Sequence, residues 1–233
     1  MKKARVLIDM DGVLVENVEF ELAVTEYIVG ELAAGRRIAH SGAAALWREE
    51  LLSTKGDPRW YDYDFHSERL GVRPIALEAH RLLKPLLSLV EGADETLCFL
   101  RDNNIETAIV SDAMSWVVRF KMEALNLSVP DLVLTSESAG APKKDSAFWI
   151  DYKDRFGSGA SVLYVDNRYD NLAVADSVLG GHVALGWFAR EEHVMTIAGF
   201  LDGRDGDIGA TEILDHRSLI AWMSSHLDLP ASS

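Results

Sequence analysis

VLIDMDGVLV, residues 6–15, decides how this chain is read. Val6, Leu7 and Ile8 form an apolar run of the kind buried on both faces of a sheet. Asp9 and Asp11 then stand two residues apart, Gly12 follows, and apolar residues resume at Val13. Gly12 permits a sharp departure of the chain from the strand end. Two carboxylates at the end of a buried strand have to meet something that the rest of the sequence brings beside them.

Further strand-like runs are IETAIVS (105–111), DLVLT (131–135), SVLYVD (161–166) and HVALGW (182–187), with ARVLID (4–9) as the first. Helical patterns lie between them. In GADETLCFLRDNN (92–104), Asp94 is placed to cap a helix ending at Asn103 or Asn104. Val117, Phe120 and Ala124 mark one face of the next helix. Helix and strand alternate from residue 90 onward, which predicts a parallel sheet with helices on both faces, a fold that binds ligands at the carboxyl ends of its strands. Asp9, Ser111 and Asp166 each end a predicted strand, so all three are expected at that one edge.

Residues 16 to about 88 break this rhythm. Phe20, Val24, Tyr27, Ile28 and Leu32 follow helical spacing, no good strand occurs, and Gly56–Pro58 and Gly71–Pro74 supply breaks. A mostly helical insertion is predicted.

The chain of 233 residues is 48% hydrophobic and carries 23 Lys and Arg against 37 Asp and Glu, a formal charge of -14. Such a chain can bury a sizeable core in one domain with an insertion or in two modest domains. It has no Lys/Arg-rich run, so neither nucleic acid nor an anionic membrane is an expected partner. No stretch approaches about 18 uninterrupted apolar residues, and the first apolar run meets Asp9 too soon for a signal peptide, so a cytoplasmic protein is expected. Cys98 is the sole cysteine, which excludes an intrachain disulfide and a Cys-rich zinc site. Its apolar neighbours Leu97, Phe99 and Leu100 suggest a small apolar residue within a helix.

Taken in order, DMDGVL (9–14), Ser111 in IVSDA, Lys143 in GAPKKDSAFW (140–149) and YVDNRYDNL (164–172) resemble the motifs of the haloacid dehalogenase-like hydrolase superfamily. The resemblance covers nearly the whole chain, and LVEGADETLCFLRDNNIETAIVSDA (89–113) is similar to the stretch leading from cap to second motif. It implies an α/β fold: a Rossmann-like core of parallel sheet and flanking helices, from residues 1–15 and 89–233. Residues 16–88 would form an inserted α-helical cap of the C1 type.

The same resemblance implies a Mg2+-dependent phosphatase for a small phosphorylated metabolite. Asp9 would be the nucleophile that forms an aspartyl-phosphate, and Asp11 the general acid and later base, with its pKa raised so that it can donate a proton. Ser111, Asp112 and Lys143 would bind the substrate, Lys143 and Ser111 at the oxygens of the transferred group. The cation would be held by Asp9, Asp166 and in the family the Met10 carbonyl, with Asp11 and Asp170 completing the acidic set and Asp170 in a supporting place. A cation also reconciles an acidic protein with an anionic substrate.

The chain departs from the family pattern at four positions. Val13 stands where many relatives have Thr, Val165 where a glycine often precedes the metal Asp, and Asp112 where Asn is frequent, which adds negative charge. Lys144 replaces a usual proline, which leaves Lys144 as an alternative catalytic lysine to Lys143.

RWYDYDFHSER (59–69) is placed to line the substrate pocket, although Tyr61 and Phe65, four residues apart, equally fit one apolar helix face. Arg48, His66 and Arg69 are candidates for the distal part of the substrate. No histidine belongs to a metal motif such as HExxH. DGRDGDIG (202–209) reads as a solvated turn and not a calcium loop, and RSLIAWMSSHL (217–227) as a closing helix. Phosphomutase, 2-haloacid dehalogenase and a catalytically silent binding protein share this fold. Asp11 speaks against the dehalogenase, because family dehalogenases lack that second Asp. The sequence leaves a monomer or a homodimer open.

Overall fold

The computed structural model describes residues 4–128, 130, 132–157, 161–189 and 208–227. The chain begins with β1 (Arg5–Asp9) and the two-residue β2 (Val15–Glu16). Four helices follow, α1 (Val18–Arg36), α2 (His40–Ser53), α3 (Tyr63–Arg69) and α4 (Ala76–Leu83), and then the two-residue β3 (Ser88–Leu89). The remainder alternates: α5 (Ala93–Asp102), β4 (Glu106–Ser111), α6 (Ser115–Ala124), β5 (Leu132–Thr135), α7 (Ser136–Ala139), α8 (Ser146–Phe156), β6 (Val162–Asp166), α9 (Tyr169–Leu179), β7 (Val183–Phe188), β8 (Thr211–Ile213) and α10 (His216–His226).

The main sheet has the order β5-β4-β1-β6-β7-β8 with every pair parallel. Alternation along the central strands feeds two cores. Val6, Ile8, Ile109, Leu163 and Val165 belong to one, and Leu7, Ala108, Val110, Val162 and Tyr164 to the other. Both faces are therefore covered, which is why these strands read as continuous apolar runs. Short β8 escapes that signal because Thr211 and Glu212 are exposed at the sheet edge.

Between β2 and β3 lie the four helices α1 to α4. Phe20, Val24, Ile28 and Leu32 form the buried stripe of α1, each contributing about 1.5–3 kcal/mol by burial. This stripe joins the same core as Val6 and Ile8. Antiparallel β2 and β3 pair Val15 with Leu89 and Glu16 with Ser88, so the chain leaves and re-enters the sheet region through one narrow ribbon.

Several local expectations are corrected. Gly92, with φ 82°, and not Asp94, is the N-cap of α5, and Asp94 sits in its first turn. Cys98 lies on α5 as expected but is exposed, because the stripe that buries Ala93, Thr96 and Leu100 excludes it. Tyr61 and Phe65 do not share a helix, since Asp62 caps α3 through the Phe65 amide and helix begins at Tyr63. Residues 202–207 of the DGRDGDIG stretch lie outside the described residues.

Candidate active site

Central strands β4, β1 and β6 end side by side, bringing Ser111, Asp9 and Asp166 to one sheet edge. Beyond Asp9 the chain turns at once. Gly12 has φ 86°, and the Leu14 and Val15 amides both donate to the Met10 carbonyl at 2.9 Å. That carbonyl is thus engaged twice within the turn.

A second restraint on this turn comes from α10. His216 Nε2 donates to the Val13 carbonyl at 2.7 Å, and its Nδ1 accepts from the Thr96 hydroxyl at 2.8 Å.

Lys143 completes the centre. Its Nζ lies 2.5 Å from Asp9 Oδ1 and 2.8 Å from Asp166 Oδ2, with all three side chains buried. Burial alone would strip its proton, but Asp166 and Asp9 outweigh that and hold its pKa above the ordinary lysine value. Its backbone is clamped as well: the Lys143 amide donates to Asp112 Oδ1 at 2.8 Å, and Trp149 Nε1 donates to the Lys143 carbonyl at 2.8 Å. Neighbouring Lys144 is exposed. Between the two candidate lysines, only Lys143 touches the strand-end carboxylates.

Asp112, a candidate for substrate binding, spends one oxygen on the Lys143 amide and the Ser136 hydroxyl. Both Asp166 oxygens accept hydrogen bonds: Oδ2 also from Tyr164 and from Asn171 Nδ2, and Oδ1 from the Arg168 amide at 2.8 Å. Asp170 instead pairs with Arg168 at 3.0 Å and lies outside the cavity lining.

Asp11 is held by a residue that the sequence reading missed. Lys121, in α6 and wholly buried, places Nζ 2.8 Å from Asp11 Oδ1 and 2.6 Å from Glu21 Oε1 of α1. A signal existed, because Lys121 falls four residues after Val117 on the apolar face of its helix, where a charge needs a partner. Burial raises the Asp11 pKa, Lys121 lowers it and Glu21 raises it, with a net upward shift. The expected direction holds, although Glu21 supplies the main like charge and not the strand-end carboxylates.

Asp9, Asp11, Ser111, Asp112 and Lys143 line one cavity of about 330 Å³, closed from the insertion by Asn17, Val18, Glu21, Leu22, Tyr61, Tyr63 and His80. Its size suits a small ligand. Tyr61 thus reaches the site, as the pocket-lining reading of residues 59–69 expects. The three distal candidates do not. His66 is buried between Glu50 and the Trp60 carbonyl, Arg69 pairs with Glu50 at 2.5 Å, and Arg48 is exposed on α2.

This set of strand ends, lysine and helical insertion agrees with a family model. The model for haloacid dehalogenase-like hydrolase matches residues 4–177. The chain belongs to this family. Among curated relatives, the GMP/IMP nucleotidase YrfG of Escherichia coli K12 is 26% identical over 175 residues, covering 74% of this chain and 76% of its own. A haloacid dehalogenase-like (HAD) phosphatase from Thermococcus onnurineus superposes with a TM-score of 0.75 at 20% identity, covering 95% of this chain and 98% of its own. The HAD hydrolase YfnB from Bacillus subtilis, bound to magnesium, gives 0.59 at 13% identity, covering 96% and 99%. At such identities the two structures establish the shared fold alone.

The donor set bears on a cation. Asp9, Asp11, Asp166 and Glu21 bring four carboxyl groups against the two ammonium groups of Lys143 and Lys121. Burial pushes the Asp9 pKa well up, with Lys143 opposing and Asp166 adding to the rise. No group of three or more His, Cys, Asp or Glu side chains spaced for a metal occurs among the described residues. Magnesium, however, is commonly held by one or two carboxylates, with water and substrate completing its shell. Asp9 and Asp166, adjacent at the strand ends and both bonded to Lys143, are two such carboxylates, whereas Asp11 is bonded to Lys121 and Asp170 to Arg168. No described helix is long and apolar enough to cross a membrane.

Proposed function

We propose that this member of the family is a phosphatase that hydrolyses a small phosphorylated metabolite through an aspartyl-phosphate on Asp9. The observation that carries this reading is the Lys143 ammonium group set between Asp9 and Asp166, at a cavity lined by Asp9, Asp11, Ser111 and Lys143. Lys143 and the Ser111 hydroxyl bind oxygens of the phosphoryl group and orient phosphorus toward Asp9. An Asp9 oxygen forms the new P–O bond as the ester P–O bond breaks, and Asp11 gives its proton to the departing oxygen. Asp11, now a carboxylate, takes a proton from water, whose oxygen attacks phosphorus, releases phosphate and restores Asp9.

Mg2+ is the proposed cofactor, which Asp9 and Asp166 would hold and which would supply charge neutralisation for the incoming phosphate. The acidic donor set and the magnesium in the YfnB structure support it. Asp112 and Asp170 act as positioning residues, Asp112 on Lys143 and Asp170 on Arg168. Residues 16–88 serve as the cap, whose closure over the cavity excludes water. The nucleotidase relative makes purine nucleoside monophosphates the first substrates to try.

Phosphate release from p-nitrophenyl phosphate and a panel of nucleotide, sugar and small-acid phosphates tests this. Release is expected to need both Mg2+ and Asp9, and to vanish with EDTA or in Asp9→Asn. Absence of metal-dependent turnover of every ester by folded wild-type protein would refute the reading.

A further inference from the structure

Lys121 lies outside the cavity lining, yet it is wholly buried against the proposed general acid. Its surroundings are specific. Nζ contacts Asp11 Oδ1 at 2.8 Å and Glu21 Oε1 at 2.6 Å, while the other Glu21 oxygen accepts from the Tyr63 hydroxyl at 2.7 Å. The Phe20 ring centroid lies 5.5 Å from Nζ. Asp11 belongs to the turn after β1 and Lys121 to α6, whereas Glu21 and Tyr63 belong to α1 and α3 of the insertion. One chain of polar contacts therefore runs from Asp11 across to two residues that wall the cavity.

A buried ion pair of this kind contributes little net stability compared with apolar residues of the same shape, and buried ionic groups are often retained for geometric definition. Here the geometry defined is that of Asp11. A short carboxylate on a tight turn keeps rotational freedom unless an oxygen is anchored, and proton transfer to a leaving group tolerates little misplacement. Lys121 anchors Oδ1 and leaves Oδ2 for the reacting proton. Glu21 and Tyr63 hold Lys121 only where the insertion packs against the core.

We propose that Lys121 and Glu21 are a positioning pair that aims Asp11 at the leaving-group oxygen and makes its alignment depend on the seating of the helical insertion. The role rests on Asp11 acting as general acid in the proposed phosphatase reaction.

The test compares ester types. p-Nitrophenolate leaves without protonation, whereas the alkoxides of β-glycerophosphate and guanosine 5′-monophosphate need a proton. Lys121→Met and the doubly apolar Lys121→Met/Glu21→Leu are measured beside wild type and Asp11→Asn, with thermal melting to confirm folding. The double variant removes both charges of the pair and so guards against misfolding of the single one. Expected is a fall in alkyl-ester kcat of roughly ten- to hundred-fold, a share of the ~10²–10⁴ that a general acid supplies, with KM little changed. The first-turnover burst of p-nitrophenolate should persist in the variants, as in Asp11→Asn. A p-nitrophenolate burst that slows as much as alkyl-ester turnover would make Lys121 a general structural staple, and no loss of alkyl-ester turnover would make it dispensable; both results overturn the proposal. Wild type that releases no phosphate from either ester would overturn the phosphatase reading itself, and this proposal with it.

Discussion

Replacing Lys143 by Met should destabilise the protein and slow the proposed reaction through the same atoms. The substitution removes an ammonium group 2.5 Å from Asp9 and 2.8 Å from Asp166, whose side chains are 6% and 0% exposed. Removing one member of a buried ionic cluster and leaving the rest costs about 3–5 kcal/mol. For a chain of this length that corresponds to a fall in Tm of roughly 6–20 °C. Loss of a preorganised positive charge at the phosphoryl oxygens should also lower kcat by about 10²–10³-fold. Melting is followed by circular dichroism in EDTA, so that no cation replaces the ammonium, and turnover is measured with Mg2+ on p-nitrophenyl phosphate. Two controls isolate the cause. Exposed Lys144→Met should stay within about 0.5 kcal/mol of wild type. Lys143→Met/Asp166→Asn should recover part of the lost stability, because one orphaned charge goes with its partner, while activity stays low. A Lys143→Met protein that melts like wild type would refute the view that this ammonium group is the buried counterion of the site.

Two further outcomes are expected. Gly92→Ala should cost about 2–4 kcal/mol, since φ is +82° and the new Cβ would lie 2.9 Å from His216 Cβ on packed α10; urea denaturation reads this, and an unchanged midpoint would contradict it. His80 is the second: burial holds its pKa below 6.5, with Glu21 and its bond to the Ala76 carbonyl opposing and Lys121 assisting. The unfolded chain therefore binds this proton first as pH falls, so stability drops from about pH 6.5 downward through the depressed folded value. His80→Phe should show a smaller difference in urea midpoint between neutral pH and about pH 5 than wild type, and an identical difference would refute the assignment.

The strand ends were legible because burial on both faces leaves a local trace. Val6 to Ile8, Ala108 to Val110 and Val162 to Val165 are apolar without interruption, and each run stops at a polar residue that the parallel sheet must place at its carboxyl edge. The insertion was legible for a related reason, since Phe20, Val24, Ile28 and Leu32 carry the helical period over several turns. Short β8 and the start of α3 were not, because three edge residues and a single Asp62 cap leave too little pattern. The aromatic residue that reaches the cavity, Tyr61, precedes α3, so helical spacing was the wrong rule for it.

By itself, then, the sequence determined the parallel sheet, the turn after Asp9, the meeting of Asp9, Ser111 and Asp166, and the place where helices interrupt the core. Periodicity and turn chemistry act over a few residues, and a few residues suffice to read them. Only the tertiary structure decided that Lys143 and not Lys144 enters the centre, that Asp112 clamps the Lys143 backbone, and that Asp11 is held by Lys121. Those contacts join residues separated by 134, 31 and 110 positions, and each depends on where whole helices and strands pack. A buried charge must find its partner, but the sequence states only that one is required; the packing of α1 and α6 against the turn after β1 supplies which.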